Sequence, residues 1–287
     1  MKNRAWYFLL PVLVLILMNG IVPMMAVFNY ALHVVFSGST PEFVGLANYD
    51  QVLHDPDFLG ALQRQFIFSV LVLAVQIPLG IMIAMAMPKK GAKLAIVLVL
   101  FGLPLLTPAM SVGLTWRLMS ADSIGVITVF FKTVFGYNYS LIHPIDAVIT
   151  MFIVDCWHWI PMVALLCYAG LNAIPDQYYQ SAAIDGATPW QTFRYVTLPK
   201  LRSVLIIAVL LRFMDSFMIY AEPYIMTGGG PGNYLTYLNV LVARRAESYE
   251  LGFAGAASIL YLFFVLLGSY IFFQLMTSVG KVGKAVK

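Results

Sequence analysis

Asp155, His158 and Trp159 fall at positions i, i+3 and i+4 of one apolar stretch, and Arg212 and Asp215 lie three apart in another. On helices each set shares a face. Asp155 lies about 18 Å along a helix from His143, and Asp215 about 20 Å from Arg202, so both reach the middle of an apolar layer. Ionisable groups are costly at that depth and normally face a bundle interior or a watery cavity, which makes them functional candidates. Carboxylates accept hydrogen bonds from hydroxyls, imidazole donates or accepts, and indole covers the apolar face of a carbon skeleton. The set suits a hydroxyl-rich solute. A second reading has Arg212 pairing with Asp155 or Asp215 to pin helices together, and the two readings are compatible. Tyr220 and Glu222, near the far end of the second stretch, are placed to meet arriving solute, although an interfacial aromatic belt accounts equally well for Tyr220.

No enzyme motif accompanies these residues. The chain lacks G-x-x-x-x-G-K-[ST], H-E-x-x-H and G-x-S-x-G, so nothing in it is expected to cradle ATP phosphates or to form a zinc or serine-hydrolase centre. The run Gly228 to Gly232 carries no lysine and reads as a tight turn. Cys156 and Cys167 lack metal-ligand spacing and read as buried thiols. Trp116 and Arg117 read as interfacial anchors.

The elements that hold these residues must be membrane helices. Hydrophobic residues make up 61% of the chain and charged ones 10%, with a mean hydropathy of +0.85. Crossing an apolar layer about 30 Å thick takes roughly 20 helical residues, and backbone polar groups in lipid must be satisfied internally. Six segments qualify: about 6–36, 65–87, 94–119, 147–171, 203–222 and 252–277. The expected fold is an all-α integral membrane protein forming one transmembrane domain over 1–287. The first segment, behind Lys2 and Arg4, mimics a signal peptide but is too long for one, and it reads as a retained, tilted helix kinked at Pro11 or Pro23.

Basic residues cluster in alternate connections: Lys2 and Arg4; Lys89, Lys90 and Lys93; Arg194, Lys200 and Arg202; Lys281, Lys284 and Lys287. The opposite side carries only Arg64, Lys132, Arg244 and Arg245. By the positive-inside rule both termini and the 172–202 loop face the cytoplasm. The net charge of +4 therefore reflects membrane flanks, and nucleic-acid binding is not implied.

Loop 172–202 is too polar for hydrocarbon and too patterned for a slack linker. Pro175-Asp176 opens a short helix running to about Ile184, Gly186 supplies a left-handed stop, and Thr188-Pro189 caps a second helix reaching towards Val196. Ala182, Ala183 and Ala187 keep the surface shallow, while Trp190 and Phe193 share a face. An amphipathic connector bracing only its own bundle would look similar.

The segment QSAAIDGATPWQTFRYVTLP, Gln180 to Pro199, resembles the cytoplasmic "EAA" coupling loop of permease subunits of binding-protein-dependent ABC importers, in the maltose-type carbohydrate and polyol branch. FVGLANYDQVLHDPDFLGAL (Phe43 to Leu62), the Leu10-Pro11 start and RFMDSFMIYAEPYIMTGGGPGN (Arg212 to Asn233) resemble the same family. The last is most similar to the glycerol and polyol subgroup. Gln180 stands where many members carry the glutamate that names the motif, and Ser181 replaces its first alanine. A charge is lost there, so docking should lean more on shape, Gly186 and Asp185.

The resemblance implies that Gln180, Ala182, Ala183, Asp185, Gly186, Ala187, Phe193 and Pro199 couple the chain to an ATPase. It also implies a second six-helix permease, two ATP-binding subunits that hold ATP and Mg, an external solute-binding protein, and a bacterial cytoplasmic (inner) membrane. No cofactor is expected in this chain. The cargo would be a small polyol or sugar, with glycerol or a related polyol as the specific expectation. A proton-coupled secondary transporter relaying protons through Asp155, His158 and Asp215 is the alternative, and the lack of visible inverted repeats weighs against it.

Overall fold

The computed structural model describes residues 5–34 and 41–282. Lys2, Arg4, Phe36, Lys284 and Lys287, which entered the span and orientation readings, lie outside them. In chain order the elements are α1 (Ala5–Ile16), α2 (Val22–Ala31), β1 (His33–Val34), β2 (Glu42–Phe43), α3 (Ala47–His54), α4 (Pro56–Ala86), α5 (Ala92–Leu106), α6 (Ala109–Met119), α7 (Val126–Phe135), α8 (Pro144–Asn172), α9 (Asp176–Ile184), α10 (Pro189–Thr192), α11 (Leu198–Phe217), α12 (Ala221–Thr227), α13 (Leu238–Glu247) and α14 (Leu251–Val282). The strands pair antiparallel, His33 with Phe43 and Val34 with Glu42.

Five helical stretches are long and apolar enough to span a membrane: Leu9–Ala31, Pro56–Ala86, Pro144–Asn172, Pro189–Thr227 and Leu251–Gln274. The sixth departs from expectation. In place of one helix over 94–119, α5 and α6 meet at a bend of 91°. Thr107 at the break is extended, at φ −80° and ψ 123°, because the ring of Pro108 disfavours helical geometry in the residue before it.

Two other breaks have a common cause. Wide π turns cover Leu17–Ile21 and Phe193–Thr197, and each precedes a proline, Pro23 or Pro199. A proline in a helix removes one hydrogen bond and crowds the carbonyl four residues back, here Asn19 and Tyr195, each at the centre of its π turn. Widening the turn there lets the helix continue. The second coupling helix therefore does not stop near Val196 or at Leu198-Pro199 but runs from α10 through the π turn into α11. The fifth span, expected to reach 222, loses helical form after Phe217, because Pro223 cannot donate back to Ile219. Tyr220, at φ −147° and ψ −56°, then starts α12.

The chain divides into two compact units, Met1–Gln63 with Leu238–Leu266 and Arg64–Tyr237 with Leu267–Lys287. In the first, the buried Asn48 amide donates to the carbonyl oxygens of Ala31 and His33, both at 3.0 Å. The Asp55 carboxylate accepts from the Phe58 N–H at 2.8 Å and closes the start of α4. Arg245 joins Asp55 at 3.1 Å and Glu250 at 2.8 Å, with its guanidinium 4.6 Å from the Phe253 ring centre.

The second unit holds every candidate residue. One apolar cluster includes Phe68, Val72, Val112, Met151, Val154 and Leu235, and another Ile81, Ala84, Val163, Cys167, Leu201 and Leu205. Without a hydrophobic drive between helices in lipid, close backbone approach supplies much of the packing. Gly80 of α4 is such a contact, since a Cβ there would stand 2.5 Å from Val163 Cγ1 and 3.2 Å from the Ala164 backbone nitrogen. Gly80→Leu is expected to force α4 from α8 and abolish the monodisperse peak in size-exclusion chromatography. Gly102→Leu, with nothing within 4 Å of the added Cβ, should preserve it. Equal profiles for the two would refute this packing.

Candidate functional site: a buried charge cluster and an exposed elbow

The mid-helix residues converge. Arg212 is fully buried and donates from Nη2 to Asp155 Oδ2 at 2.7 Å, from Nη1 to Asp215 Oδ2, and from Nε to Gln76 Oε1 at 2.7 Å. Gln76 in turn donates from Nε2 to the same Asp155 oxygen at 2.6 Å. Helices α4, α8 and α11 are thus joined through one guanidinium, and the pairing foreseen for Arg212 involves both aspartates. The guanidinium carbon also stands 5.1 Å from the Trp159 ring centre.

His158 stacks on Trp159 with ring centroids 5.0 Å apart. Its Nδ1 lies 3.4 Å from Glu222 Oε1, at ion-pair distance but without a hydrogen bond. Asp155, Trp159, Asp215, Tyr220 and Glu222 line a cavity of about 270 Å³ together with Ala109, Met218, Ile219 and Ala221. Every substrate-pathway candidate therefore lines this cavity or touches a residue that does. The segment that follows the break after Phe217, Met218 to Glu222, supplies one wall of this cavity.

Gln76 was missed in the sequence. Its signal was a lone amide in the apolar run Val70 to Leu79, a position that calls for a buried polar partner. Ser69 and Ser216 form a smaller link of the same kind, at 2.8 Å.

The 172–202 segment forms a helix, a glycine stop and a second helix. Gly186 has φ +69°, its N–H donates to Ala183 O at 3.1 Å, and the Ala187 N–H donates to Ala182 O at 2.9 Å. These are the paired bonds of a Schellman stop, which needs the left-handed backbone that glycine adopts without strain. Thr188 and Gln191 form a reciprocal capping box at the start of α10. Phe193 packs on the cluster around Val163 and Leu201, with its ring 5.5 Å from Trp190, so it braces the elbow against the bundle. Ala182 is buried, whereas Gln180, Ala183, Asp185 and Gly186 are exposed and Ala187 is half-buried. Ile184 and Trp190 are 86% and 65% exposed.

Comparison with known proteins identifies the scaffold. A family model described as "Binding-protein-dependent transport system inner membrane component" matches residues 76–281, taking in Gln76, the cavity and the whole elbow. The chain belongs to this family. It is a multi-pass permease of the ABC importer class, and its relatives are permease subunits, not ATPases. The chain is 34% identical to the trehalose/maltose transport system permease protein MalF of Thermococcus litoralis, over 91% of this chain and 90% of that one. It is 26% identical to the arabinooligosaccharides transport system permease protein AraP of Bacillus subtilis, over 96% and 90% respectively. Among solved structures, a bacterial ABC transporter involved in the import of the acidic polysaccharide alginate superposes with a TM-score of 0.82, covering 96% of both chains at 19% identity. That likeness establishes the fold. The polyol expectation drawn from Arg212 to Asn233 finds no support in these relatives.

Proposed function

We propose that this permease forms half of the pathway through which an ABC importer takes up a carbohydrate or another small polyhydroxylated solute. In this reading a second permease supplies the other half, and an external binding protein delivers the cargo. Two ATPase subunits, which hold ATP and Mg, seat against the elbow on the cytoplasmic side, and both termini face that side. The observation that carries the reading is the exposed glycine-stopped elbow, continuous with α11 and therefore with Arg212 and Asp215. Nucleotide drives the cycle only if it favours one orientation of the bundles over the other. A rigid helix from α10 into α11 gives that preference a path to the cavity.

Carboxylates and an indole around the cavity suit hydroxyl groups and the apolar face of a sugar. The named relatives favour a sugar or short oligosaccharide, while glycerol and related polyols rest on the Arg212 to Asn233 resemblance alone. Titrating the external binding protein with trehalose, maltose, glycerol and hexitols separates these cargoes. For the mechanism, uptake into proteoliposomes is expected to persist when the proton gradient is collapsed with ATP maintained. Loss of uptake on collapsing the gradient would instead favour proton relay through Asp155, His158 and Asp215.

A further inference from the structure

Carboxyl groups outnumber cationic groups around the cavity. Asp155, Asp215 and Glu222 all line it, while Arg212, the guanidinium that pairs with the two aspartates, is fully buried and committed to both. Even with His158 protonated, three carboxylates face two cations. With His158 neutral the imbalance is larger.

Glu222 supplies an independent observation. Its side chain is only 9% exposed, its ion-pair contact is with His158, whose Nδ1 stands 3.4 Å from Oε1, and it lines the cavity. A carboxylate buried to that degree normally has its acceptors filled. It opens on the cavity, which Trp159 and Tyr220 also line. A donor-rich ligand would complete it.

We infer that the cavity passes polyhydroxylated solutes that are neutral or bear an amino group, and rejects those bearing a carboxylate or phosphate. Glu222 is the residue that sets this selectivity. A neutral sugar donates hydroxyls to Glu222 and to the free oxygen positions of Asp155 and Asp215. An amino sugar adds a charge-assisted bond. An anionic sugar meets like charge in a site of low dielectric and finds no uncommitted cation, which is discrimination by repulsion. The inference rests on the carbohydrate reading above and extends it to charge. It also sets this permease apart from its structural neighbour described as importing an acidic polysaccharide.

The test uses the intact importer in lipid nanodiscs, without its binding protein so that only the permease discriminates, titrated calorimetrically with glucose, glucosamine and glucuronate. Glucosamine is expected to bind at least about tenfold more tightly than glucose, as charge-assisted bonds exceed neutral ones, and glucuronate should not bind. In Glu222→Gln the preference for glucosamine should fall by about tenfold or more, and glucuronate binding should appear. Glucuronate binding to the wild type as tightly as glucose overturns this inference alone, as does an unchanged order in Glu222→Gln. Absence of binding by all three sugars overturns the carbohydrate reading together with it. The wild-type comparison decides the matter even where the variant fails to fold.

Discussion

Replacing Gly186 with aspartate is expected to abolish ATP-driven uptake while leaving the permease at wild-type abundance in the membrane. The position is in the left-handed region, with φ +69°, and an added Cβ would find nothing within 4 Å. The side chain therefore projects off the elbow without disturbing the bundle. Left-handed geometry costs an L-residue roughly 1–2 kcal/mol, less for Asp and Asn, which bond locally. That is too little to unfold the protein. The expected loss arises at the proposed docking surface, where a second carboxylate is added next to Asp185, beside the small side chains of Ala183 and Ala187. Gly186→Asn separates the two contributions, since it has nearly the same backbone cost and no charge. Uptake in Gly186→Asn should be reduced but measurable, and in Gly186→Asp undetectable. Wild-type transport by Gly186→Asp would remove the elbow from the coupling mechanism.

The second large effect is expected from Arg212→Met. Removing one partner of a buried ion pair costs about 3–5 kcal/mol, because the other charge is left uncompensated. Here Asp155 is 4% exposed and would keep only Gln76, while Gln76 Oε1 would lose its donor. Domains hold only about 5–15 kcal/mol of net stability, so the single variant should lose most of its folded population in detergent. Asp155→Asn in the same chain removes the stranded charge and should recover much of the loss. Asp215, 31% exposed on its side chain, can turn to water and adds less. Thermal unfolding of the wild type, each single variant and the double variant gives the coupling directly. An Arg212→Met protein melting within a degree or two of wild type would show that the guanidinium does not hold α4, α8 and α11 together.

The two experiments address different links of the proposed cycle. Gly186 lies where force would enter the bundle, and Arg212 where three helices converge beside the cavity. A protein that folds normally with Gly186→Asp yet does not transport, and one that transports poorly with Arg212→Met because little of it folds, are distinguished by the same pair of measurements, abundance and uptake.

The sequence by itself determined the membrane class, the approximate spans, the elbow and the residues worth testing. These follow from local rules. A run of about 20 apolar residues needs a helix in lipid, Gly186 with Thr188-Pro189 writes a stop and a start within four residues, and a charge at mid-span stands out against apolar neighbours. Tertiary structure alone decided which charges meet. Arg212 and Asp155 are 57 residues apart and Gln76 and Arg212 are 136 apart, and no periodicity within one helix specifies the rotation of another. The bend at Thr107 and the break after Phe217 were written in Pro108 and Pro223, yet whether a proline kinks, widens or ends a helix depends on what its neighbours pack against. That dependence set Glu222, expected at the end of a span, 3.4 Å from His158 and on the wall of the cavity that Asp155 also lines.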